Sequence, residues 1–172
     1  MKDDLMWIYA LLPDDACASI KDIIMTREWQ SQLSHRYLDF HLHISLKRSF
    51  KVTDLEAQTE LIERIIHEHG PLVCSDLEAE LVKERIWLKV GGDEDLQQIH
   101  KILDRQFQER FGIIPDGYDR NYHPHVSLFK SADRKLLEKA FADLSQAMPK
   151  ERYVIDHFVI GSRLSGNRSF RL

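Results

Sequence analysis

The chain has 172 residues, of which 43% are apolar and 30% charged, with a formal net charge of −4. This is the composition of an ordinary globular protein, and it excludes a disordered chain as well as nucleic-acid binding through one broad basic face. The longest apolar run, Met6 to Pro13, is too short to span a bilayer and follows Asp3 and Asp4 where a secretory signal carries basic residues, so the cytoplasm is the expected location.

In chain order, Met6 to Leu12 reads as a strand stopped by Pro13, and Asp14 caps a helix striped by Cys17, Ile20, Ile23 and Ile24. Phe40 to Leu46 alternates with period two: Leu42, Ile44 and Leu46 form one face, and His41, His43 and Ser45 the other. Thr53-Asp54-Leu55-Glu56 is a capping box for a helix with Leu55, Leu61, Ile62, Ile65 and Ile66 inward, stopped by Gly70-Pro71. Leu72 to Leu81 and Arg85 to Val90 predict a hairpin around Lys83-Glu84. After Gly91-Gly92-Asp93 comes a helix striped by Leu96, Ile99, Leu103, Phe107 and Phe111 and ended by Gly112. A polar loop with Pro115-Asp116-Gly117 leads to the strand Tyr122 to Phe129, then to a helix carrying Leu136, Leu137, Ala140, Phe141 and Leu144. A second hairpin closes the chain, Tyr153 to Leu164 and Arg168 to Leu172, turned at Ser165-Gly166-Asn167. Cys17 and Cys74 lie among apolar neighbours without a C-x-x-C partner and read as buried free thiols.

The element order repeats, and residues repeat with it. His41, His43, Ser45 and Leu46 fall on His123, His125, Ser127 and Leu128 at a constant offset of 82 positions (43 to 125, 45 to 127). Without a gap, Arg48 then meets Lys130 and Leu55-Glu56 meets Leu137-Glu138; upstream, Trp7-Ile8 falls on Trp87-Leu88 at an offset of 80. The pattern predicts one domain over residues 1–172, duplicated as halves of about 1–84 and 85–172 that pack about a pseudo-twofold axis.

On a strand, residues i and i+2 point the same way, so His43 and Ser45 share a face, as do His125 and Ser127. Two imidazoles and two hydroxyls brought into one cleft suit chemistry at phosphorus. A neutral histidine takes the proton of the attacking hydroxyl while a protonated one gives its proton to the leaving oxygen, and each serine donates a hydrogen bond to a non-bridging phosphate oxygen.

The paired H-h-[ST]-h motifs on equivalent strands resemble those of the 2H phosphoesterase superfamily, and the resemblance covers nearly the whole chain. It implies an α+β, bilobal, duplicated fold: two antiparallel β-sheets forming a central cleft, with helices outside. It also implies that His43 and His125 are the catalytic acid and base, and that Ser45 and Ser127 bind phosphate. The expected activity is that of a metal-independent phosphodiesterase or cyclic phosphodiesterase. Its substrate would be a nucleotide or short RNA terminus with a 2′-5′ or 2′,3′-cyclic linkage, and reversible 2′-5′ RNA ligation is within its reach. Neither a cofactor, a membrane nor an obligate protein partner is expected.

Several residues stay open at this level. Lys47, one pleat beyond Ser45, reaches phosphate or ends the strand in solvent; Phe129, its repeat equivalent, stacks on a base or packs in the core; Tyr9 is a further stacking candidate. Arg163, Arg168 and Arg171 face the cleft or solvent, and His67, His69, His100 and His157 read as surface or structural. Two rival readings remain: a non-catalytic nucleotide-binding module of the same fold, and a metal hydrolase in which His41, His43, His123 and His125 cage the ion.

Overall fold

The structure, a computed structural model, describes residues 4–33, 41–92 and 94–172. Alternation drives the first strand, β1 (Leu5–Leu11): Met6, Ile8 and Ala10 are fully buried while Trp7, Tyr9 and Leu11 line the other face. Helix α1 (Asp14–Met25) buries Cys17, Ile20 and Ile24 and is followed by a 3₁₀ turn, Glu28–Gln32. Strand β2 (His43–Lys51) starts later and runs further than the alternation predicts; Phe40 lies outside the described residues. Helix α2 (Leu55–His69) is capped by Asp54, which accepts from the Ala57 amide at 3.1 Å. The cap is one residue later than the expected Thr53, whose backbone N–H donates instead to the Gln58 side chain.

The hairpin β3 (Leu72–Val82) and β4 (Arg85–Gly91) turns at Lys83, whose φ of 53° is the left-handed conformation such a turn needs. Helix α3 (Glu94–Phe111) and a one-turn helix α4 (Gly117–Arg120) precede β5 (His125–Lys130), whose start is set by Pro124. Helix α5 (Arg134–Ala147) is capped by Asp133. The C-terminal hairpin is not the single pair expected. Its first arm is cut into β6 (Tyr153–Ile155) and β7 (His157–Ser162), and only β7 pairs with β8 (Gly166–Arg171).

All pairings are antiparallel, in the order β6-β3-β4-β5-β2-β1-β7-β8. The two expected sheets are thus four-stranded halves of one order, joined at the centre by a single β2–β5 pair, Ile44 with Val126. The two halves of the chain interlace within it, since β3 pairs with β4 and β7 with β1. One residue, Asp156, separates β6 at the edge of the order from β7 near its other end. A link that short requires the sheet to curl until those regions adjoin. Helices α3 and α5 pack on one face of the sheet and α2 on α3, so that face and the helices share one apolar core; the other face lines the cleft described below. Among the described residues, no helix is long and apolar enough to cross a membrane.

A bulge follows each His-x-Ser motif. Tyr9 pairs with Ser45 but Ile8 with Lys47, leaving Leu46 extra; Trp87 pairs with Ser127 but Ile86 with Phe129, leaving Leu128 extra. The extra residue reverses the facing of the residues next after it, Lys47 and Arg48 in β2 and Phe129 and Lys130 in β5. A second register shift in β2 then returns Phe50 to the core. Lys47 therefore does not point along Ser45 toward a phosphate. It is 1% exposed, and its ammonium lies 2.5 Å from Asp104 Oδ1 and 2.8 Å from Asp119 Oδ2. Phe129 likewise turns inward and meets the edge of Trp29 at a centroid distance of 5.5 Å, so it is core and not a base platform. Also in this cluster, His100 donates from Nδ1 to the carbonyl of the bulge residue Leu46 at 2.6 Å, and Asp104 Oδ2 lies 3.4 Å from its Nε2.

Removing the lysine would leave two carboxylates buried without their cation. Lys47→Met is therefore expected to lower folding stability by about 3–5 kcal/mol, measured by urea denaturation, whereas Lys130→Met, at an exposed strand end, is expected to change it little.

Candidate active site

A cleft of about 730 Å³ opens on the sheet face opposite the helices, a size that suits a nucleotide-scale ligand. His43, Ser45, His125 and Ser127 all line it, together with Trp7, Tyr9, His41, Arg48, Arg85, Trp87 and Tyr118. The central pair Ile44 with Val126 explains the gathering. In an antiparallel register those two core residues are flanked by His43 beside Ser127 and by Ser45 beside His125, all on the opposite face.

Each motif histidine is held the same way. His43 Nδ1 lies 2.9 Å from the carbonyl of His41, and His125 Nδ1 lies 2.8 Å from the carbonyl of His123. A carbonyl only accepts, so Nδ1 carries the proton in both rings and Nε2 is the nitrogen left for exchange. An aromatic ring steadies each imidazole. Tyr9 lies against His43 at 4.2 Å between centroids, and Trp87 stacks on His125 at 3.9 Å and 19°. Burial holds both histidines below their ordinary value; Arg85 and Arg48 push His125 the same way, against its backbone hydrogen bond and Glu80.

One cation of the cleft comes from a bulge. With Lys47 turned inward, Arg48 turns outward into the cleft, its guanidinium 4.4 Å from the centre of the Tyr118 ring. Tyr118 donates in turn to the Ser45 carbonyl at 3.2 Å, and burial pushes its hydroxyl up to about 12, so it stays a donor. Arg85, on β4, supplies the second cation.

His41 and His123 bracket the two motif histidines. His41 Nε2 donates to the Leu12 carbonyl at 2.6 Å and His123 Nδ1 to Asn121 O at 2.7 Å, while their own carbonyls hold the motif rings. Among the described residues, the group of metal-type ligands within 4.8 Å of one another is His100, Asp104 and Asp119, and the Lys47 ammonium lies between those two carboxylates. Arg168 pairs with Glu63 of α2, and none of the three C-terminal arginines lines the cleft.

The sequence pattern of the 2′-5′ RNA ligase superfamily matches residues 12–167. The chain belongs to that superfamily. Its fold is similar to E. coli LigT in apo form, at 16% identity and a TM-score of 0.61, covering 100% of this chain and 96% of that one. A LigT structure complexed with 3′-AMP matches at 17% identity and 0.55, over 99% and 96%. Kluyveromyces marxianus Usb1 matches at 12% identity and 0.54, over 98% and 97%. No curated protein matches the chain by sequence. Membership agrees with the 2H phosphoesterase resemblance carried by the paired motifs.

The cleft residues of this superfamily member that motif reading did not select include Trp87, Arg85, Tyr118, Trp7 and Asn167. Trp87 was within reach, because the pairing register aligns Tyr9 with Trp87, not Trp7 with Trp87, as each sits opposite its motif serine. Tyr118 arrives on a one-turn helix with no repeat counterpart, and nothing in its local sequence signals that placement. The histidine environment makes a direct prediction. Titration followed through the ring protons by NMR is expected to give midpoints below 6.5 for both His43 and His125, and inorganic phosphate is expected to raise them, because a bound anion favours imidazolium.

Proposed function

We propose that this protein is a metal-independent phosphodiesterase acting on a nucleotide or RNA-end phosphodiester, of 2′-5′ or 2′,3′-cyclic type, by two-histidine acid–base catalysis. The observation that carries the reading is the pair of tied imidazoles in one cleft, each with Nε2 left for proton transfer and each on the strand of its serine. One neutral Nε2 takes the proton of the attacking hydroxyl, and the other, protonated, gives its proton to the leaving oxygen. Ser45 and Ser127 donate to the non-bridging oxygens, and Arg48 and Arg85 offset the charge that builds there. The similarity to a LigT structure holding 3′-AMP and to structures of LigT with ATP and NADP+ supports a nucleotide in the cleft. The same scheme run backwards is 2′-5′ ligation, since a catalyst serves both directions.

His43→Ala and His125→Ala are each expected to lower kcat by roughly 10²–10⁴, with the double variant little worse because the pair works as one unit. Ser45→Ala and Ser127→Ala are expected to cost roughly 10–10³. Activity on 2′,3′-cyclic nucleotides and 2′-5′ dinucleotides is expected to survive EDTA. The pH profile of kcat/KM is expected to be bell-shaped with its maximum on the acid side of 6.5, since both histidines titrate low and one must be protonated. Full turnover in either histidine variant would leave a nucleotide-binding module as the reading.

A further inference from the structure

The two halves of the cleft are not alike, and the difference lies beside Trp7. Trp7 pairs with Gly161 of β7, and Gly161 pairs with Asn167 of β8, so the three residues stand at one level across the sheet and share the cleft face. A methyl group built on Gly161 would come within 1.9 Å of Trp7 Nε1 and 2.1 Å of Cε2. The indole therefore lies directly over the Gly161 backbone, reaching toward Asn167. Gly161 is not among the residues of positive φ, so its backbone asks for no glycine. The indole above it does. The corresponding level of the other half has no such seat: Arg85 stands where Trp7 does, and across from it is Val82.

The other cleft aromatics are engaged by the catalytic groups: Tyr9 with His43, Trp87 with His125, and Tyr118 with Arg48. Trp7 contacts Tyr9 only at a tilted 6.4 Å. Beyond its ring, Asn167 is exposed at the rim and carries both an amide donor and an acceptor.

We infer that Trp7, seated on Gly161 and flanked by Asn167, is the platform for one nucleobase of the substrate. The base stacks on the indole, and the carboxamide meets its donor–acceptor edge. The nucleoside therefore lies on the β1–β7–β8 side of the scissile phosphate. This rests on the phosphodiesterase reading for its position relative to the phosphate, but binding can be tested without turnover.

Calorimetry would compare adenosine 3′-monophosphate with its base-free counterpart, ribose 3-phosphate, on the wild-type protein and on Trp7→Ala, Gly161→Ala and Asn167→Ala. The expected result is wild-type binding of the nucleotide roughly 10-fold or more tighter than of the sugar phosphate. Trp7→Ala and Gly161→Ala should erase that gap and leave ribose 3-phosphate unchanged. Asn167→Ala, an exposed change that cannot disturb the core, should narrow it. Equal binding of the two ligands by the wild type, no nucleotide binding, or a gap that survives Trp7→Ala and Asn167→Ala would overturn the inference. Base-dependent binding through Trp7 without turnover would sink the catalytic reading alone. Turnover of ribose 2,3-cyclic phosphate as efficient as that of the cyclic nucleotide, unaffected by Trp7→Ala, would sink the base platform alone.

Discussion

An antiparallel strand that gains one residue relative to its neighbour cannot keep its side chains alternating, and here that happens directly after each motif. Up to Ser45 and Ser127 the alternation holds, which puts imidazole and hydroxyl together on the cleft face. At Leu46 and Leu128 it breaks, and the next residue in each strand goes to the core with its leucine. The exchange delivers Arg48 to the cleft and Lys47 to two buried carboxylates. A bulge also leaves backbone groups without ladder partners, and in β2 His100 takes the Leu46 carbonyl while Tyr118 takes that of Ser45. The floor of the cleft is thereby bonded to α3 and α4, and Tyr118 is brought to the position where Arg48 stacks on it.

The imidazoles depend on this order for their chemistry. A histidine free to rotate offers either nitrogen to a substrate, so its proton transfer is diluted over orientations. Tying Nδ1 to the carbonyl two residues back and laying an aromatic ring on the imidazole leaves one nitrogen and one direction. Burial adds a second effect: it favours the neutral ring, and in the proposed reaction the anionic diester would supply the field in which one of the two becomes an acid.

Much of this was legible in the chain. Period-two alternation located β1, β2 and β5, helical stripes located α1, α2, α3 and α5, and the offset of 82 positions identified the four motif residues as a set. The misreadings share one cause. Lys47 was placed by continuing the alternation through a bulge, and the choice left open for Phe129 falls to the core for the same reason; a bulge is a property of two paired strands that neither sequence declares alone. The split of β6 from β7 has the same character, because which neighbour a strand finds is decided by how the sheet curls. Tyr118 is further out of reach, since its place depends on Asp119 meeting a lysine 72 positions away in the chain.

The seam between the halves has a mechanical consequence. Within each half the strands are laced by several pairs of residues, whereas one pair, Ile44 with Val126, crosses between β2 and β5. A sheet bends where it is least laced, so this line is its natural fold, like the spine of a book whose leaves are stiff. His43 lies on one leaf and His125 on the other, and the angle at the spine sets the span between them. The Asp156 stitch, which joins β6 of one leaf to β7 of the other, limits how far the leaves can part. On the proposed phosphodiesterase reading, diesters of different girth would be met by a change of angle, with the walls of each leaf left intact.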